Sequence, residues 1–120
     1  MLAELILFLF AGILAGTFSG LIPGIHINLI GFFMVSLSIS LLAPINYASL
    51  VVFITAMAIT HTFVDFIPSV FLGCPNTETE LSILPGHELL KKGLGYGAVM
   101  LAAKGCLTAI FILLLITFPL

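Results

Sequence analysis

Charge is what this sequence has least of. Among 120 residues there are three lysines, five acidic side chains and no arginine, 7% of the chain. Soluble globular chains run at about 25% charged residues, and eight such side chains cannot cover the surface of a water-soluble domain. The scarcity is also uneven: between Glu4 and Asp65 no Asp, Glu, Lys or Arg occurs. A bilayer-spanning helix needs about 20 apolar residues, so this gap alone holds two or three spans. A soluble enzyme, a nucleic-acid binder and a disordered chain are excluded. With 62% apolar residues, the chain reads as an all-α integral membrane protein, multi-pass in the cell membrane.

Other absences narrow the reading further. No basic cluster of the kind that reads anionic lipid or a phosphate backbone is present, so nucleic acid is not an expected partner. Cysteine is limited to Cys74 and Cys106, whose separation fits neither a disulfide framework nor a zinc spacing. They read as ordinary membrane cysteines. The start, Met1-Leu2-Ala3-Glu4, has no positive region ahead of its apolar run. A cleaved signal peptide is therefore not expected, and the first helix is expected to stay in the mature protein.

What is there falls into a single membrane domain over 1–120, with segments near 2–21, 25–43, 47–72 and 98–118 and a polar loop at 73–93. In the first segment Gly12, Gly16 and Gly20 recur every four residues. In lipid, small residues at this spacing let a second helix approach closely, which makes the stripe a helix-packing face. Pro23-Gly24 then breaks the helix, because proline removes a donor and glycine tolerates dihedrals that other residues avoid. The third segment turns polar in its second half, with Thr60, His61, Thr62 and Asp65. The polar stretch holds five of the eight charges. Thr77 and Glu80 have capping-box spacing, which predicts a short helix over 78–84 ended by Pro85-Gly86. Lys91 and Lys92 flank the last span and place the 73–93 loop in the cytoplasm, with the C-terminus outside. Lys104, inside the final segment, has a stem long enough to snorkel back to the inner interface.

Two breaks and one polar pair are the candidates for chemistry. Pro23-Gly24, followed by His26 and Asn28, opens a helix start whose unpaired amides suit an anion. Broken helices in transporters use this device at midplane sites, usually in pairs. The alternative is a tight interfacial turn between two full spans. Gly73-Cys74-Pro75-Asn76 is the second break, with amides able to converge with the first. His61 and Asp65 share a helix face at a spacing of four. They form either a proton or cation coupling site, with Thr60 and Thr62 as oxygen donors, or a mutually satisfied pair near the inner interface. Ionisable groups in a membrane are costly and tend to face a cavity or a partner. His26, His61, His87 and Asp65 have no metal-ligand spacing, so no metal, cofactor or catalytic residue is expected and the chain is not read as an enzyme. Gly93-Leu94-Gly95-Tyr96-Gly97 lacks the strand and third spaced glycine of a nucleotide loop.

These elements resemble a known family. Gly20-Leu21-Ile22-Pro23-Gly24 after a glycine-stepped helix is similar to the Gly-x-x-Pro-Gly signature of the tripartite tricarboxylate transporter large permeases. Gly73-Cys74-Pro75 sits where that family has a Gly-x-Pro turn, and Lys91-Lys92-Gly93 followed by Gly97 resembles its basic-Lys-Gly element. The resemblance covers nearly the whole chain but only the first portion of such a permease. It implies part of a secondary transporter for small carboxylates, driven by a gradient of Na⁺ or H⁺ and assisted by a small membrane subunit and a solute-binding protein. On the resemblance the substrate-facing residues would be Pro23, Gly24, Gly73 and Pro75; the residues themselves add His26, Asn28 and Asn76 beside the two breaks, and His61, Asp65 and Thr62 as ion-coupling candidates. The family tends to have small residues where His61, Thr62 and Asp65 stand here, and the loop over 76–85 is more acidic than is usual for it. Such transporters are built from repeats around a midplane site. The chain therefore reads as a fragment, one partner of a split permease or a self-associating unit. The alternative is a small non-transporting scaffold or assembly subunit that packs through Gly12, Gly16 and Gly20.

The topology is directly testable with single cysteines at Asn46 and Thr79 in a cysteine-free background. Position 79 should react with an impermeant reagent from the cytoplasmic side and position 46 from outside. Labelling of position 79 from outside alone reverses the orientation.

Overall fold

The computed structural model of this chain describes residues 1–40, 45–73 and 80–118, with backbone alone at 38–40 and 80–83. The described residues form six helices and no strand: α1 (Leu2–Leu21), α2 (Ile27–Ser40), α3 (Tyr47–Val64), α4 (Phe66–Leu72), α5 (Glu80–Lys91) and α6 (Gly95–Thr117). Three stretches are long and apolar enough to cross a membrane, Leu2–Leu21, Tyr47–Leu72 and Gly95–Thr117, and Ile27–Leu37 is a shorter apolar helix. This is the all-α membrane architecture that the composition requires. Contacts divide the chain into two compact units, Met1–Asp65 and Phe66–Leu120.

In the first unit α1 lies along α3 through its glycines. A Cβ added at Gly12 would stand 2.5 Å from the Phe53 carbonyl oxygen and 3.0 Å from the Ala56 Cβ. One at Gly16 would strike the Met57 carbonyl and the Thr60 Cβ, and one at Gly20 would lie 2.9 Å from both the His61 carbonyl and the Val64 Cβ. Each glycine therefore points a Cα hydrogen at α3 backbone, a contact of about 0.5–1 kcal/mol. Partner numbers rise together along the two helices, so α1 and α3 are parallel. The same register continues toward their N-termini. There Phe8 meets Phe53 edge-on at 6.4 Å, and Ser49 Oγ donates to Glu4 Oε1 at 3.0 Å. Glu4 lies in the first turn of α1, where a negative charge complements the helix dipole. Ser49 is fully buried. Parallel neighbours require a returning segment, and α2, 14 described residues or about 21 Å of rise, packs on α3 in that place.

Helix ends have local causes. Ile22 precedes Pro23 and is extended, φ −97° and ψ 108°, because a residue before proline is pushed out of the α region. α3 is capped by Asn46, whose side chain accepts from the Ala48 amide at 3.0 Å. The predicted segment 47–72 is interrupted at Asp65, one turn before Pro68. Proline cannot donate to the carbonyl four residues back, and its ring clashes with it. That carbonyl belongs to Val64, the last residue of α3.

In the second unit α4, α5 and α6 pack on one another, with Val70, Ser69 and Ala98 in its core. The polar stretch departs from expectation. It holds α5 over Glu80–Lys91, and Pro85 lies inside that helix instead of ending it. Packing explains the continuation: a Cβ at Gly86 would lie 3.0 Å from Val70 Cγ2 and 3.8 Å from Phe66 Cζ, so the glycine seats the helix on α4. Proline here forfeits one backbone bond, and tertiary contact outweighs it. The Thr77–Glu80 cap falls outside the described residues. α5 ends instead at Gly93, φ +78°, in a Schellman motif. The Leu94 amide donates to the Leu89 carbonyl at 2.8 Å, and the Gly93 amide to the Leu90 carbonyl at 2.9 Å. Lys91-Lys92-Gly93 therefore closes one helix, and α6 opens at Gly95, ahead of the predicted Ala98.

Gly16→Val should lower the thermal midpoint of the detergent-solubilised protein, at a cost of about 1–3 kcal/mol for overpacking. At Gly31 a Cβ meets nothing within 4 Å, so Gly31→Ala should be neutral or stabilising by up to about 1 kcal/mol. Equal effects of the two substitutions would remove the glycine interlock.

Candidate functional site

The first break is a type II turn across Ile22-Pro23-Gly24-Ile25. The Ile25 amide approaches the Ile22 carbonyl at 3.5 Å. Proline stands second and Gly24, at φ +89°, third, where a positive φ makes glycine the default residue. No atom lies within 4 Å of a Cβ built on Gly24, so its space is open and its constraint is the dihedral. Pro23, Gly24, His26 and Asn28 are all exposed. α2 begins at Ile27, and the His26 carbonyl accepts from the amides of Leu29 at 3.0 Å and Ile30 at 3.4 Å. This gathers an imidazole, a carboxamide and the open amides of a helix start within three residues. From that start a groove of about 240 Å³ runs between α2 and α3, lined by Ile27, Asn28, Gly31, Phe32, Ile54, Met57 and Ala58. Asn28 is its polar group. Pockets that enclose a drug-sized ligand span about 300–1,000 Å³, so the groove is the size of part of a site.

The polar pair lies where α1 meets the end of α3. His61 is 3% exposed and Asp65 9%, and the Asp65 amide donates to the His61 carbonyl at 2.8 Å. The imidazole reaches across to α1, with Nδ1 3.0 Å from Ser19 Oγ. Ser19 Oγ in turn donates to the Gly16 carbonyl at 3.2 Å. Thr62 is placed differently from the pair. It is exposed, and its hydroxyl donates to the Ala58 carbonyl of its own helix at 3.0 Å. The residue joining His61 to α1 is thus Ser19, which sequence spacing could not single out because its partner is 42 residues away.

At the second break Gly73 has φ +64° and follows the end of α4. Cys74, Pro75 and Asn76 lie outside the described residues. His87 of α5 covers the turn: its Nδ1 lies 3.0 Å from the Val70 carbonyl, and its ring atoms lie 3.0–3.2 Å from a Cβ built on Gly73. A carbonyl only accepts, so Nδ1 carries the proton and donates to one of the last carbonyls of α4. Among the described residues no group of three or more His, Cys, Asp or Glu is placed to hold a metal ion.

Residues 6–120 match the Tripartite tricarboxylate transporter TctA family. The chain belongs to that family. TctA is a family of transporters, and membership accords with the apolar helices described above. The chain is also 42% identical, over 112 residues, to an uncharacterized protein of Methanocaldococcus jannaschii, covering 93% of this chain and 27% of that relative. It thus spans about a quarter of the length of the curated relative it matches. No solved structure matches. The Pro-Gly turn and the Gly73 turn of this TctA chain both use a left-handed glycine at a helix boundary, and each has a histidine near it.

His87→Leu should loosen the end of α4. Loss of one hydrogen bond, about 1 kcal/mol, corresponds to about a fivefold increase in local opening. Amide exchange of peptides covering 66–73 should accelerate while those covering 8–20 stay unchanged. Unchanged exchange at 66–73 would deny His87 its capping role.

Proposed function

We propose that this chain is part of a secondary-transport permease for small carboxylates of the tricarboxylate type, multi-pass in the cell membrane and driven by a gradient of Na⁺ or H⁺. It works with further permease segments or a second copy, and with a small membrane subunit and a solute-binding protein. The observation that carries this reading is the family match over residues 6–120. Pro23, Gly24, His26 and Asn28 form the first substrate-facing element, and Gly73, Pro75 and Asn76 the second. His61 and Asp65 are the coupling pair, and Thr62 is the weakest of the three candidates because its hydroxyl is held by its own helix.

Physical chemistry supports the assignment of the first element. A carboxylate brought out of water without compensation costs several kcal/mol, and the chain has no arginine. The start of α2 offers partial positive charge from its amides, with His26 and Asn28 as side-chain donors. The scaffold alternative draws on the same glycine stripe, but Gly12, Gly16 and Gly20 are buried against α3. A face used up inside the chain is not open to a partner, which favours the permease.

Citrate binding by the complete permease containing this chain, followed by calorimetry, tests the reading. Gly24 is unsuitable as a probe, since a branched residue at φ +89° would strain the turn with or without ligand. His26→Ala and Asn28→Ala remove exposed side chains instead. Each should raise the Kd about tenfold or more, the size of a lost hydrogen bond to a charged group, with the thermal midpoint unchanged. Parent-like affinity in both variants would take the break out of the substrate path.

A further inference from the structure

We infer that His87 conditions the second break for a carboxylate: its imidazole occupies the negative end of α4 and covers the Gly73 turn, which makes it a positioning residue for the substrate-facing element. This role rests on the permease reading and deepens it, since Gly73 belongs to the site proposed above.

A helix C-terminus is the wrong end to meet an anion. The last four carbonyls of a helix have no partner within it, and together they carry partial negative charge. α4 ends at Leu72, directly before Gly73, so the Val70 carbonyl is one of those four. Many helices answer this end with a Lys, Arg or His of their own last turn, but α4 has no basic residue there. The answering group comes from α5 instead. His87 Nδ1 lies 3.0 Å from the Val70 carbonyl. A carbonyl only accepts, so Nδ1 is the donor, and it keeps that hydrogen when the ring is charged.

The ring also defines the space at the turn. A Cβ built on Gly73 would lie 3.0 Å from His87 Cε1 and 3.2 Å from both ring nitrogens. The imidazole thus stands where a side chain at position 73 would project, and glycine is required there by the ring as well as by its φ of +64°. Contacts on either side of His87 hold α5 in place. A Cβ on Gly86 would lie 3.0 Å from Val70 Cγ2 of α4, and one on Gly95 of α6 would strike Leu90 Cδ1 and lie 3.5 Å from the Phe71 ring. Local sequence hides the pairing, because Val70 and His87 are 17 residues apart and Pro85 stands between them.

Calorimetry of citrate binding to the complete permease separates this role from structural support, because it returns the affinity and the number of competent sites independently. His87→Leu should raise the Kd about fivefold or more, the equivalent of one hydrogen bond, with the stoichiometry unchanged. His87→Asn carries an amide nitrogen at the same bond distance from the backbone as Nδ1 and should restore the parent Kd. A reduced stoichiometry at the parent Kd in His87→Leu would make the residue a structural support only and overturn the inference. So would a parent-like Kd in His87→Leu, or an equal loss of affinity in His87→Asn. If His87→Leu does not assemble, His87→Gln takes its place: its amide lies one carbon further out, so it should bind about fivefold more weakly than His87→Asn, and equal affinity of the two overturns the inference. Each of these outcomes leaves citrate binding by the parent standing. Absence of binding by the parent itself would overturn the permease reading and the role of His87 with it.

Discussion

The backbone of α1 lies against the backbone of α3 at Gly12, Gly16 and Gly20, and the rest of the first unit depends on that contact. Lipid tails are as apolar as leucine, so burying leucine between helices gains little there, and close packing and interhelical hydrogen bonds must supply the attraction. Glycine permits both. With no Cβ it brings the Phe53, Met57 and His61 carbonyls to its own Cα. At that separation short side chains reach across, as Ser49 does to Glu4 and Ser19 to His61. Such bonds average about 0.6 kcal/mol each in a bilayer protein, below the roughly 1–3 kcal/mol that overpacking costs. The glycines are therefore the determinant, and the hydrogen bonds set register and orientation.

That contact also arranges the candidate groups. It ends at Gly20, three residues before Pro23, at the level of Val64 and Asp65. The buried His61 and Asp65 thus lie beside the last turn of α1, close in sequence to the exposed start of α2. One rigid pair of helices carries both the polar pair and the approach to the break. Because α1 and α3 are parallel, α2 is the returning element, and its groove against α3 begins at the same end. A dry glycine interface and a polar terminus are two parts of one design in which packing precision holds an ionisable group where water is scarce.

The second unit solves a comparable problem with different residues. α4 is short and closed by Gly73, and the capping bond to Val70 comes from His87 of α5, 17 residues on. Gly86 and Gly95 let α5 and α6 approach neighbouring side chains. Left-handed glycines at 73 and 93 follow the ends of α4 and α5, where a positive φ suits glycine. Small residues again decide where helices can go, and a single histidine fixes one end.

Much of this was legible in the residues themselves. The missing charge over 5–64 compelled a membrane protein, the four-residue glycine spacing compelled a close-packing face, and Pro23-Gly24 compelled a turn. These depend on composition, on a period or on a local dihedral, all of which a linear chain carries in full. Pro85 shows the limit: locally it ends a helix, yet α5 runs through it because Gly86 packs on Val70 and Phe66. The partner of the glycine stripe, the turning away of Thr62, and the bonds of His61 to Ser19 and His87 to Val70 were decided by tertiary structure alone. Each joins groups far apart in sequence or rotates a side chain about its own helix, and no spacing encodes which distant face will arrive to meet it.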